Sequence, residues 1–171
     1  MKKIAILVLG SLLLAGCAPV APKPTEAPEP TETPAVVYEV PADCNVSGLL
    51  SQADGWEAFD QTEDGVSGVR DCAIGTPNSD VGVWFSFKEN DDETWEATAT
   101  ALKSEGFEEF DAQITGASFF RLEDTSAETG PLCKLTGYVS GVEISATEPW
   151  VECDDDWNRE LAVLLVGHVQ E

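Results

Sequence analysis

Basic residues are scarce in this chain. Nine Lys and Arg stand against 32 Asp and Glu over 171 residues, for a formal net charge of −23. That balance excludes nucleic acid as a partner, because phosphate contacts need Lys and Arg to release counterions. An anionic membrane surface would also repel the chain. Histidine is nearly absent: His168 stands alone, near the end of the last predicted helix, where a cation complements the helix dipole. A lone His so placed does not support Ser-His-Asp or Cys-His catalysis. No Cys-x-x-Cys spacing occurs, which argues against structural zinc. A glycine-rich phosphate loop and a His-Glu-x-x-His motif are both missing, and no cofactor is indicated. Disorder throughout is excluded by 43% apolar residues and five Trp.

What is present begins with an address. Lys2 and Lys3 form a positive start, and Ile4 to Leu14 is an apolar run broken only by Gly10 and Ser11. It is too short to span the roughly 30 Å hydrocarbon core as a helix, and reads as a signal-peptide core. It ends in Leu14-Ala15-Gly16-Cys17. These residues resemble the lipobox of bacterial lipoproteins. The resemblance implies diacylglyceryl transfer to the Cys17 thiol and cleavage before it. The chain would then be held by an N-terminal lipid on the outer face of the cytoplasmic membrane, or in an outer membrane where one exists.

Cysteine parity agrees with that reading. There are five Cys, and an odd one in an exported protein needs an explanation. With Cys17 acylated, Cys44, Cys72, Cys133 and Cys153 remain in an oxidising compartment, where two disulfides are expected. Three pairings exist. The local one, Cys44–Cys72 and Cys133–Cys153, is favoured because each bridge stays within its own part of the chain; the crossed pairings stay open.

The expected organisation is a signal peptide over 1–16, the lipidated Cys and a tether over 17–43, and one disulfide-stabilised α+β domain over 44–171. Seven of the ten prolines fall in 18–43. Such a segment extends rather than folds, reaching at most about 80 Å at roughly 3.1 Å per residue. The domain holds 6 basic and 27 acidic residues, so the acidity belongs to it and not to the tether.

Within the domain, a short helix is expected near Cys44–Ala53, then strands over Gly68–Gly75 and Val81–Lys88. In the second of these Val83, Phe85 and Phe87 share one face, and Trp84, Ser86 and Lys88 the other. A helix follows, with Trp95, Ala99 and Leu102 on one side, ending at Gly106. A loop or short strand is read near Gln113–Thr115, and strands over Ala117–Glu123, Cys133–Val139 and Val142–Thr147. Asp154-Asp155-Asp156 opens a last helix, where Trp157, Leu161 and Leu164 repeat the earlier spacing. The predicted class is α+β: an antiparallel sheet with helices on one face, with two ββα units that suggest an internal duplication. The order of Cys, strands and helices, with the lipobox, loosely resembles small cysteine-paired lipoproteins of actinobacteria, a resemblance that carries over no catalytic residues.

Two features could carry binding chemistry. Asp91, Asp92 and Glu93 form an acidic cluster that reads first as a dipole-complementing helix start and second as a weak Ca²⁺ site, without EF-hand spacing. Trp84, Phe120, Lys134 and Tyr138 could share the sheet face away from the helices, a platform for a glycan or peptide unless that face is covered. The expected function is that of a non-enzymatic envelope lipoprotein presenting an acidic binding domain, its partner a cationic envelope component or a protein. The alternatives are a small carboxylate-dependent envelope hydrolase and a structural or immunity-type lipoprotein.

Overall fold

A computed structural model describes residues 36–63, 65–77, 82–126, 130–149 and 153–170. The elements follow in chain order. They are α1 (Ser47–Leu50), β1 (Glu57–Asp60), β2 (Val69–Gly75), β3 (Gly82–Glu89), α2 (Asp92–Ser104), β4 (Glu108–Phe110), β5 (Ala117–Asp124), β6 (Leu132–Val139), β7 (Val142–Pro149) and α3 (Asp155–His168). The strands form one seven-stranded sheet in the order β1-β2-β3-β7-β6-β5-β4, every neighbouring pair antiparallel. The class is α+β, with disulfides Cys44–Cys72 and Cys133–Cys153.

Local chemistry explains the elements. The β-branched and aromatic residues of β3 suit a pleated surface, and Val83, Phe85 and Phe87 are buried on one side of it. The Asp91 carboxylate accepts the Thr94 N–H at 2.7 Å and so starts α2. Asp154 does the same for α3, accepting from Asp156 and Trp157. Both acidic clusters therefore stand at helix starts. Gly106, at φ 94°, ends the chain's course after α2. Ser140 (φ 41°) and Gly141 (φ 100°) make the two-residue turn between β6 and β7, and positive φ at both places matches the twist of a hairpin.

The short strands depart from the sequence reading. Gln113–Thr115 is a loop, one of the two forms expected there; Gln113 takes a left-handed φ of 60°, and its N–H is held by the Asp111 carboxylate. The edge strand lies earlier, at Glu108–Phe110. At the other edge, β1 has acids at both ends and only Ala58 and Phe59 between them, too little alternation to read. Packing also begins before Cys44. The Glu39 N–H donates to the Val169 carbonyl at 3.0 Å, and Tyr38 and Val40 lie against the core.

The helices do not share a face, and this is the main correction to the expected arrangement. Phe119 and Phe120 are consecutive on β5 and point to opposite sides. Phe119 enters the large core with Phe87, Ile144, Leu161 and Leu165, beneath α1 and α3. Phe120 enters a smaller core with Trp95 of α2 and Tyr138. Gly137 lets the larger core close: Phe119 sits opposite it on the neighbouring strand, and a Cβ there would overlap the Phe119 ring.

This arrangement bears on the two ββα units. Aligning Val83 with Val142 brings Ser86 onto Ser145, and these two are directly opposite on β3 and β7. The central pair thus obeys a local two-fold axis normal to the sheet. Such an axis would put α2 and α3 on one face, and they lie on opposite faces. Cys72 stands opposite Phe85 but Cys133 opposite Glu148, so the cysteines do not correspond either.

Candidate functional site

The sheet face that carries α2 is only half covered. The strand register lays it out in rungs. One rung runs Phe59, Ala73, Trp84, Thr147, Lys134, and the next runs Asp71, Ser86, Ser145, Thr136, Phe120. The Gln61 N–H extends the second rung by donating to the Asp71 carbonyl at 2.8 Å. Trp84, Phe120, Lys134 and Tyr138 share one face, but it is the face that carries α2 and not one away from the helices. Their surroundings separate them.

Over β5 and β6, α2 makes a core. The Trp95 ring stacks on Tyr138 with centroids 5.3 Å apart, and its indole N–H donates to Ser118 Oγ at 2.9 Å. Phe120 and Tyr138 are 2% and 8% exposed, so they are packing residues and not ligand contacts. The Tyr138 hydroxyl donates to Asp92 at 2.7 Å. Burial, and then that bonded carboxylate, push its pKa up. Lys134 sits at the border, its ammonium 2.8 Å from Asp124. The Lys134 bond and then the Ser126 hydroxyl hold the Asp124 carboxyl down at about 2.

Over β2, β3 and β7 no described helix covers the face. Trp84 is 42% exposed and is the one aromatic among the exposed large apolar side chains of the described residues. A shallow groove of about 220 Å³ lies on one side of it, lined by Gln61, Asp71, Ser86, Ser145 and Thr147. A smaller depression of about 70 Å³ lies on the other, between Trp84 and Phe59, where Ala73, Gly75 and Gly82 leave room. The Ser145 hydroxyl donates to Ser86 Oγ at 3.3 Å. Phe59, Gln61, Asp71, Ser145 and Thr147 were not singled out by sequence reasoning, because only strand register places them beside Trp84. The groove holds one carboxylate, Asp71, where hydrolysis by paired carboxyls needs two.

Asp91 is a helix cap, Asp92 accepts the Tyr138 hydroxyl, and Glu93 is exposed. Among the described residues, no group of three or more His, Cys, Asp and Glu side chains is arranged to hold a metal ion. His168 is buried, and its Nε2–H donates to the Asp43 carbonyl at 3.0 Å. A cleft of about 470 Å³ is the crease where the segment from Glu39 to Asn45 meets the end of α3. Its Asp43 carboxylate already accepts the Asn45 N–H at 2.8 Å. Cys17 lies outside the described residues. No helix among those described is long and apolar enough to cross a membrane.

Searches of protein families, curated proteins and solved structures find no match.

One buried acid stands apart from the groove. Glu148 is 5% exposed on the large-core side of β7, where its carboxylate accepts the Trp157 indole N–H. Burial raises its pKa, only partly offset by that bond. In the unfolded chain the group titrates normally. Between the two values the folded state holds more protons, so stability falls as pH rises through that interval. Glu148→Gln keeps an acceptor for Trp157 and removes the titration. Its unfolding midpoint should gain on wild type as pH rises above the ordinary carboxylate range, about 4. A difference that does not change with pH would show that folding leaves the Glu148 pKa where it is in the unfolded chain.

Proposed function

We propose that the chain is an exported lipoprotein, anchored through acylated Cys17, that presents a non-enzymatic binding domain at the cell envelope. The observation that supports this most is the use of cysteine. Two disulfides take Cys44, Cys72, Cys133 and Cys153, which suits an oxidising compartment. Cys17 then remains, in Leu14-Ala15-Gly16-Cys17, with a thiol to accept the lipid. The open half of the sheet about Trp84 is the binding surface on this reading. An exposed indole ringed by hydroxyls offers both stacking area and hydrogen bonds. The net charge favours a neutral or cationic partner and keeps the domain off anionic lipid.

Fractionation tests the anchor. Cys17→Ala should leave the full chain unprocessed or release it from the membrane fraction, and should abolish labelling by a fatty-acid probe. Labelling and membrane retention equal to wild type would refute the proposal.

A further inference from the structure

The open face has a chemistry specific enough to name a ligand class, given the reading of that face as the binding surface. Three observations bear on it. Trp84 presents a half-exposed indole between two shallow depressions, neither of them enclosed. This shape suits a chain laid across the sheet better than a small molecule sealed inside. The four neighbouring strands β1, β2, β3 and β7 that carry it span about 14 Å at the usual spacing.

The polar side is rich in groups that both donate and accept. Ser86, Ser145 and Thr147 are hydroxyls, and Gln61 adds an amide. Hydroxyls so arranged match a polyol, which also offers donors and acceptors at close intervals. The apolar C–H face of a sugar ring is in turn suited to an indole. A peptide strand would gain most by adding to a sheet edge, where backbone groups are unpaired. On this face the β2, β3 and β7 backbones are already bonded to each other.

Charge supplies the third observation. The Asp71 carboxylate lines the groove, and among the described residues it makes no hydrogen bond or ion pair. Lys134, at the end of the Trp84 rung, is neutralised by Asp124. The groove is therefore anionic within a chain of net charge −23, which excludes uronate and phosphate polymers. We infer that this face takes a glycan bearing free amino groups, its rings on Trp84 and an ammonium at Asp71.

The test titrates the full chain, purified in detergent, with three probes: a glucosamine oligosaccharide, its fully N-acetylated counterpart and a lysine-rich peptide. The glucosamine oligosaccharide should bind. Trp84→Ala should weaken it by about tenfold or more, as truncation of an aromatic anchor does, while Trp84→Phe keeps most of the affinity. Asp71→Asn should weaken it by about tenfold and leave the N-acetylated probe unaffected. A cooperative urea unfolding transition confirms that each variant is folded. Equal binding of the amino and N-acetylated forms by wild type would overturn amine recognition. Binding of the peptide alone, lost in Trp84→Ala, would overturn the glycan assignment and leave the surface standing. If no probe depends on Trp84, both assignments fall.

Discussion

Trp95→Ala is expected to destabilise the protein by about 3–5 kcal/mol, the usual cost of deleting a large buried aromatic. Trp95 is the buried residue of α2, and the small core on that face is built around it. Its ring covers Tyr138 and Phe120, and its N–H satisfies the Ser118 hydroxyl. Alanine would open a cavity and uncover both partners. Trp95→Phe keeps a ring and loses the hydrogen bond, so it should cost only about 1 kcal/mol beyond packing adjustments. Urea unfolding measures both. A loss below about 1 kcal/mol for the alanine variant would mean that α2 does not hold this face. It would also reopen Phe120 and Tyr138 as ligand contacts.

Removing the Cys44–Cys72 bridge should have a similar effect. The bridge joins residues 28 apart, and closing a loop of that size is worth about 3–4 kcal/mol in the chain-entropy account. Both cysteines are buried in the large core, close to the start of α1. The bridge therefore fixes the segment from Tyr38 to Leu50 against β2. The Cys44→Ser, Cys72→Ser double variant should unfold at markedly lower urea. Proteolysis should cut first in that segment, whose remaining ties are the packing of Val46 and Leu49 in the large core and hydrogen bonds such as Arg70 Nε–H to the Pro41 carbonyl at 3.4 Å. An unchanged midpoint would show that core packing alone holds the segment.

Both effects concern features that differ in how far the residues announced them. The disulfides were legible. Once Cys17 is set aside, four cysteines remain, and each local partner lies within one stretch of chain. The strands β2, β3, β5, β6 and β7 and the helices α2 and α3 were legible too, because their apolar residues recur at the period of the element. β1 and β4 were not. Each is a three- or four-residue edge strand rich in acids, which leaves no run long enough to show alternation. The expected duplication rested on a spacing match, which says nothing about the side of the sheet to which each helix returns, and the helices and cysteines do not obey it.

The binding face divides the same way. Trp84 was placed on the correct face by alternation alone, and so were Lys134 and Tyr138. Alternation assigns a side chain to a face; it does not say what lies on that face. Phe120 and Tyr138 became core because α2 crosses over them. Phe59, Asp71 and Thr147 became neighbours of Trp84 because β1, β2 and β7 pair in a particular register.

By itself, then, the sequence determined the charge, the cysteine economy, the class of fold and most of its long elements. These follow from composition and from periods of two and 3.6 residues, which act within a single stretch of chain. Only the tertiary structure decided that α2 leaves the other helices for the opposite face, and that half of that face stays open around Trp84. Those outcomes depend on contacts between residues far apart in the chain, such as Trp95 with Tyr138 and Trp84 with Thr147. No local pattern encodes them, because the energy that selects them arises only when the whole sheet has formed.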